Sequence, residues 1–141
     1  MKTKLQSILL IDDDAPTIFL SDMLLQEANF SEQIFTKETG KKALEFIFNL
    51  DAKNVATCSH NYPQLIFLDI NMPAMNGWEF LDKYKELKNE SHPDSIIIVL
   101  TTSINPDDKI KALNTPFVSG FEIKPLTKGV IDSVIDRYFG N

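Results

Sequence analysis

The sequence predicts an α/β domain in which five parallel strands form one sheet with helices on both faces. Three observations carry that expectation. Short apolar runs alternate with amphipathic stretches five times along the chain. Three of those runs are continuously apolar, as strands buried on both faces of a parallel sheet must be. Polar residues follow directly after several runs, where open α/β sheets place their ligands.

Taken in order, Ile8-Leu9-Leu10-Ile11 is the first strand. Asp14 can cap a helix opened by Pro16, in which Leu20, Leu24 and Ala28 recur at i, i+4 and i+8. Ile34-Phe35 marks a second, more polar strand, followed by a helix carrying Ala43, Ile47 and Leu50. Leu65-Ile66-Phe67-Leu68 is the third strand, and Phe80, Tyr84 and Leu87 give the next helix its stripe. The run from Ile96 to Leu100 is the fourth strand, after which Pro106 can open a helix bearing Ile110 and Leu113. Gly120-Phe121-Glu122-Ile123 is the fifth, polar like the second, and both belong nearer an edge of the sheet. Ile131, Val134, Ile135 and Tyr138 form the clearest helical stripe. Parallel neighbours need crossover connections, which the intervening helices supply.

Two segments depart from this rhythm. Asp51 to Pro63 is a polar connection of about thirteen residues, long enough to be functional, mobile or partly structured. It precedes the third strand, away from the expected site, and could add a contact surface. Asn114-Thr115-Pro116 interrupts the approach to the fifth strand, and Pro116 should end the preceding helix early. Trp78, Phe80 and Phe117 read as packing residues.

At 141 residues, with 43% apolar content and ten Phe, the chain is expected to be one domain, residues 4–139, with a full core. Its net charge of −6 argues against a general binder of nucleic-acid backbone. The one basic pair, Lys41-Lys42, is flanked by Glu38 and Glu45. Cys58 is the sole cysteine, so no internal disulfide is expected. The first apolar run is too short for a secretory leader, and nothing reaches the length of a membrane span. The expectation is a soluble, cytoplasmic chain.

The chemistry collects at the strand ends. Strand one ends in Asp12-Asp13-Asp14, strand three in Asp69, strand four in Thr101-Thr102-Ser103 and strand five in Lys124-Pro125. Two carboxylates about 4 Å apart repel by roughly 4 kcal/mol at an effective dielectric near 20. A hard cation relieves that repulsion, and a few carboxylates with remaining waters suit Mg²⁺ better than a Ca²⁺ cage. A cation beside a carboxylate, with a hydroxyl and an ammonium nearby, suits a phosphoryl group, for which a carboxylate is a competent nucleophile. An acidic run after a strand is by itself more often a turn and a helix cap, and Asp14 fits that reading. The conjunction at four strand ends is what lifts the site above it.

Four segments together resemble the signatures of response-regulator receiver domains. They are Ile8-Leu9-Leu10-Ile11-Asp12-Asp13-Asp14, Leu68-Asp69-Ile70-Asn71-Met72-Pro73-Ala74-Met75-Asn76-Gly77, Val99-Leu100-Thr101-Thr102-Ser103 and Phe121-Glu122-Ile123-Lys124-Pro125. The resemblance runs from about Gln6 to Tyr138 and brings with it a flavodoxin-like (βα)5 fold of strand order 2-1-3-4-5. It implies that Asp69 is the phosphoacceptor, that Asp13 ligates Mg²⁺ directly and Asp12 through water, and that the Asn71 backbone carbonyl supplies a further ligand. It also implies that Thr101 and Lys124 hold the phosphoryl oxygens, that the Lys124–Pro125 bond is cis, and that Phe121 is the switch aromatic moving with Thr101. The implied partners are a sensor histidine kinase or phosphotransfer protein upstream and a downstream protein, with no direct nucleic acid or membrane contact and a monomer or weak dimer. Such a domain is not an enzyme beyond its own phosphorylation and dephosphorylation.

Other functions fit less well. A haloacid-dehalogenase-like phosphohydrolase wants Thr or Val two positions after Asp-x-Asp, and Pro16 lies where that residue is expected. A receiver-like scaffold that takes no phosphate is disfavoured because all five site positions carry the family's residues. A DNA-binding regulator needs an effector domain, for which no residues remain after Tyr138. His60, His92 and Cys58 have no ligand-spaced or activating partners and stay outside the expected site.

Overall fold

The computed structural model describes residues 4–48, 62–88, 90 and 94–140. Along them run β1 (Leu5–Ile11), α1 (Ala15–Ala28), β2 (Ser31–Lys37), α2 (Gly40–Phe48), β3 (Leu65–Leu68), α3 (Gly77–Leu87), β4 (Ile96–Thr101), α4 (Pro106–Asn114), β5 (Val118–Ile123) and α5 (Lys128–Phe139). All strand pairs are parallel, in the order β2-β1-β3-β4-β5. The fold is flavodoxin-like, as the sequence predicts, with the two polar strands at the edges.

Side chains of successive strand residues alternate between the faces, so each buried strand feeds two cores. Leu9, Ile11, Ile66, Leu68 and Ile97 pack against α2 and α3 through Ala43, Ile47, Phe80 and Tyr84. Ile8, Leu10, Phe67, Ile98 and Leu100 pack on the opposite face with Leu25 of α1 and Ile131, Val134 and Ile135 of α5. A smaller cluster of Ile70, Val99 and Ala112 lies under α4, with Trp78, Val118 and Phe121 against it.

The helix ends follow their local chemistry. Asp14 caps α1 by accepting from the Thr17 N–H at 3.2 Å, with Pro16 in the first turn. Asn76 and Glu79 form a reciprocal capping box at α3, with bonds of 2.9 and 3.1 Å. Asn105 caps α4 ahead of Pro106, and α4 stops at Asn114, before Pro116. β5 carries an irregularity after its Ile97–Val118 pairing, and the Tyr138 hydroxyl donates to the Ser119 carbonyl there at 2.8 Å.

Several sequence expectations need correction. In α1 the inward residues are Ser21 and Leu25, with Leu24 and Ala28 only partly covered, while Leu20 is 59% exposed. Apolar residues surround much of that helix, so spacing alone left its phase open. Leu87 is exposed, because α3 already fills its side of the core with Phe80, Leu81 and Tyr84. In α4 the residue turned inward is Ala112, packed with Ile70 and Val99, and Ile110 and Leu113 face outward. Phe117 is not a core residue: it stands at φ 75 and is 39% exposed, its ring edge-on to Tyr84 at 5.4 Å. Leu50, Cys58, His60, His92 and Asp51 to Asn61 of the long connection lie outside the described residues; Tyr62 and Pro63 are buried.

Candidate functional site

The parallel register assembles the site. Ile11 lies opposite Leu68, and the Asp69 N–H donates to the Ile11 carbonyl at 2.9 Å. The residues that follow each strand, Asp12 and Asp69, are thereby brought side by side. Thr101 lies opposite Ile123, and the Lys124 N–H donates to the Thr101 carbonyl at 2.8 Å. The strands hold two carboxylates, a hydroxyl and an ammonium at the carboxyl end of the sheet, and the loop after β3 adds Asn71.

Asp12 and Asp69 are 6% and 5% exposed, Asp13 is exposed, and Thr101 is fully buried. The Lys124 ammonium reaches both buried carboxylates, at 2.5 Å from Asp12 Oδ2 and 3.4 Å from Asp69 Oδ2. Burial pushes the Asp12 carboxyl above its ordinary range, against the opposing pull of Lys124 and the Asp14 N–H. Burial works against the charge on Lys124 too, yet the Asp12 and Asp69 carboxylates hold its ammonium above the usual lysine range. Charge is thus stored here against the desolvation that would otherwise remove it.

Backbone amides orient the two carboxylates. Asp12 Oδ1 accepts from the Asp14 N–H at 2.9 Å, and Asp69 Oδ1 accepts from the Asn71 N–H at 3.0 Å. In Asp69 this leaves Oδ2 turned to Lys124. One carboxylate oxygen each from Asp12, Asp13 and Asp69 lie within 4.8 Å of one another. Three hard oxygen donors at that separation, two of them buried, fit a small divalent cation such as Mg²⁺.

The loop that carries Asp69 depends on Gly77. A Cβ there would lie 2.6 Å from Ile70 Cα and 2.9 Å from the Asp69 carbonyl oxygen, so α3 can start this close only from glycine. The Lys124–Pro125 bond is cis. Phe121 is half-buried and lies opposite Val99, on the same face of the sheet as Thr101 and within the cluster under α4.

Asn71 makes a bond in addition to its expected part. Its side-chain amide donates to the Thr101 hydroxyl at 3.1 Å. Sequence reasoning considered only its backbone carbonyl and missed this bond. It likewise missed Ser103, whose N–H donates to Thr101 Oγ1 at 3.2 Å and whose hydroxyl donates to Asp108 in the first turn of α4. Neither has a sequence signature, since both bonds depend on which way short side chains turn in loops.

The sheet is doubly wound, with acidic, hydroxyl and ammonium groups gathered at the carboxyl ends of its strands, the arrangement of a receiver-type signalling domain. The match is specific: the family model for the response regulator receiver domain covers residues 8–136, and the chain belongs to that family. The chain is similar to the chemotaxis protein CheY of Halobacterium salinarum, 27% identical over 93% of this chain and 95% of that one. It is similar to a two component response regulator structure from Cytophaga hutchinsonii, with a TM-score of 0.81, 31% identity and coverage of 95% and 96%. It also matches hybrid signal transduction histidine kinase C of Dictyostelium discoideum at 25% identity over 93% of this chain, but spans only 10% of that protein's length. Receiver domains are signalling domains rather than turnover enzymes, and they work with histidine kinases or phosphotransfer proteins and with downstream effectors. Among the described residues, no helix is long and apolar enough to cross a membrane.

Proposed function

We propose that residues 4–139 form a receiver domain that accepts a phosphoryl group on Asp69 from a sensor histidine kinase or phosphotransfer protein, with Mg²⁺ bound. It acts in the cytoplasm, as a monomer or weak dimer, and controls a partner protein through the face made by α4, β5 and α5. The observation that carries this reading is the convergence of Asp12, Asp13 and Asp69 with the Lys124 ammonium against two of them.

The chain's own groups divide the work. Asp69 is held by the Asn71 N–H on Oδ1, which fixes the plane of its carboxylate and leaves the other oxygen toward Lys124. An O–P bond forms to that carboxylate as the P–N bond of a phosphorylated imidazole breaks, the electron pair leaving with the nitrogen. Lys124 gives its charge to the incoming phosphoryl oxygens, and the Thr101 hydroxyl donates to another of them. Asp12, Asp13 and the Asn71 carbonyl, with Asp69, would hold Mg²⁺, whose contribution when bound is to neutralise developing charge on the phosphoryl oxygens. Hydrolysis returns the carboxylate and inorganic phosphate, so the domain catalyses only its own phosphorylation and its reversal.

Output follows from differential bonding. A phosphoryl group shifts the domain only to the extent that it bonds one arrangement better than the other. Thr101 and Phe121 lie on the same face of the sheet, so an inward move of the Thr101 hydroxyl leaves space that the Phe121 ring can take, and α4 rests on that cluster.

Intact mass after incubation with acetyl phosphate and Mg²⁺ tests the reading. The wild type should gain one phosphoryl mass and Asp69→Asn none. Labelling of Asp69→Asn equal to wild type would sink the assignment, and a wild type that takes no phosphoryl would leave a scaffold reading in its place.

A further inference from the structure

The Asn71 side chain is bound where the phosphoryl mechanism has no use for it. We infer that Asn71 is a resting-state lock: its amide holds the Thr101 hydroxyl away from Asp69 until a phosphoryl group competes for it. The inference rests on the reading of Asp69 as phosphoacceptor and adds a positioning residue to that site.

A hydroxyl offers two lone pairs and one proton. In the fully buried Thr101 both lone pairs have donors, the Asn71 Nδ2 at 3.1 Å and the Ser103 N–H at 3.2 Å. The two are not equivalent. Ser103 is two residues away on the same segment and moves with Thr101, whereas Asn71 reaches across from the loop after β3. Asn71 is therefore the group that ties the hydroxyl to a fixed point. That point is firm, because the Asn71 N–H is itself bonded to Asp69 Oδ1 at 3.0 Å and Gly77 lets α3 close on the same loop.

The tie has a route outward. Ser103 bonds Thr101 through its N–H and Asp108 through its hydroxyl, and the Asn105 N–H, at the α4 cap, donates back to Ser103 Oγ at 3.3 Å. A move of Thr101 is thereby felt in the first turn of α4. An anionic phosphoryl oxygen accepts the hydroxyl's proton, which neither donor occupies, and because that charge-assisted bond is about twice as strong as a neutral one it draws the hydroxyl against the Asn71 tie. Phosphorylation thus outweighs the tie, and without it the lock holds. Loss of the Asn71 amide leaves a lone pair of a buried hydroxyl unfilled in the resting state alone, so the equilibrium moves toward the signalling arrangement by roughly two- to tenfold.

The test uses the whole chain, beryllofluoride with Mg²⁺ as the phosphoryl mimic, and two readouts: amide NMR of residues 104–114 and the fluorescence of Trp78. Trp78 is the sole tryptophan, packs on the Phe121 cluster, and has the Lys111 ammonium of α4 at 4.7 Å from its ring centre. Asn71→Ala without mimic should move both signals part of the way along the wild-type resting-to-bound line. The midpoint of its beryllofluoride titration should fall by about the same two- to tenfold factor, since apparent affinity scales with the competent fraction. In a Thr101→Val background, where the hydroxyl is gone, Asn71→Ala should change neither quantity. Resting signals and midpoint unchanged in Asn71→Ala would overturn the lock, as would an Asn71→Ala effect that persists with Thr101→Val. A wild type that shows no response to the mimic would overturn the phosphoacceptor reading and the lock with it, and the wild-type titration alone identifies that case.

Discussion

Replacing Gly77 with alanine adds one methyl group where α3 begins, directly against the loop that carries Asp69. The new Cβ would stand 2.6 Å from Ile70 Cα, 2.8 Å from Ile70 Cγ2 and 2.9 Å from the Asp69 carbonyl oxygen. Carbon pairs settle at about 3.5–4.0 Å, so the overlap is roughly 1 Å, and two of the three atoms are backbone. Overpacking costs about 1–3 kcal/mol where side chains can yield, and the upper end applies here because a strand-end loop must shift as a unit. At roughly 3–4 °C per kcal/mol for a domain of this size, the melting temperature should fall by about 10 °C. Because the shift acts on the residue after β3, phosphorylation from acetyl phosphate should slow as well, by about a hundredfold for a displacement near 1 Å. Gly129→Ala is the control. It lies in the first turn of α5 with nothing nearer than 3.8 Å, so alanine there should stabilise by about 0.5–1 kcal/mol through helix propensity. Thermal unfolding and timed mass spectrometry of both variants read the two effects. If Gly77→Ala melts within about 2 °C of the wild type and labels at the same rate, the loop is more compliant than close-packed interiors allow, and the positional argument fails.

Three further outcomes follow from the site and the core. Mg²⁺ at ten times its dissociation constant should stabilise the fold by about 1.4 kcal/mol, and Asp13→Asn should remove most of that gain while slightly raising the metal-free melting temperature. A lower metal-free melting temperature for Asp13→Asn would contradict carboxylate repulsion as the cause. Thr101→Ala should still be phosphorylated on Asp69, yet beryllofluoride should shift the amides of residues 104–114 and 120–138 far less than in wild type; equal shifts would move the signal's route elsewhere. The Ser7 hydroxyl is buried in β1 with no hydrogen-bond partner among the described residues, so Ser7→Ala should raise stability by about 1 kcal/mol, measured as a higher urea midpoint. A lower midpoint would mean that the hydroxyl has a partner after all.

The strand ends were legible because parallel sheets expose their chemistry there and the runs before them are apolar without a break. Asp12 and Asp69 follow such runs and Thr101 closes one, while Lys124 follows the more polar fifth strand; register alone brings the four together. Helix faces were harder. In α1, Ile18, Phe19, Leu20, Met23, Leu24 and Leu25 leave hardly a polar side to fix the phase, and the structure chose Ser21 and Leu25 over Leu20. In α4 the inward position went to Ala112, the smallest apolar residue, packed with Val99 and Ile70, so hydrophobicity alone did not pick out the buried face. Phe117 carries the mark of a core residue in its chemistry, but its positive φ turns the chain so that the ring caps Tyr84 from outside. The Asn71 bond to Thr101 spans thirty positions, from the loop after β3 to the end of β4, beyond any periodicity.

The Lys124 ammonium, placed against two carboxylates, also sets the net charge of the acidic cluster. Three acidic groups against one lysine leave two uncompensated negative charges, the amount that one divalent ion cancels. Under the proposed function, a phosphorylated donor, itself dianionic at its phosphoryl group, would then approach a mouth with no net charge, and repulsion at close range would not add to the barrier. Without the lysine the same mouth would remain negative even with the ion in place. The built-in cation makes this carboxylate cluster approachable by another anion.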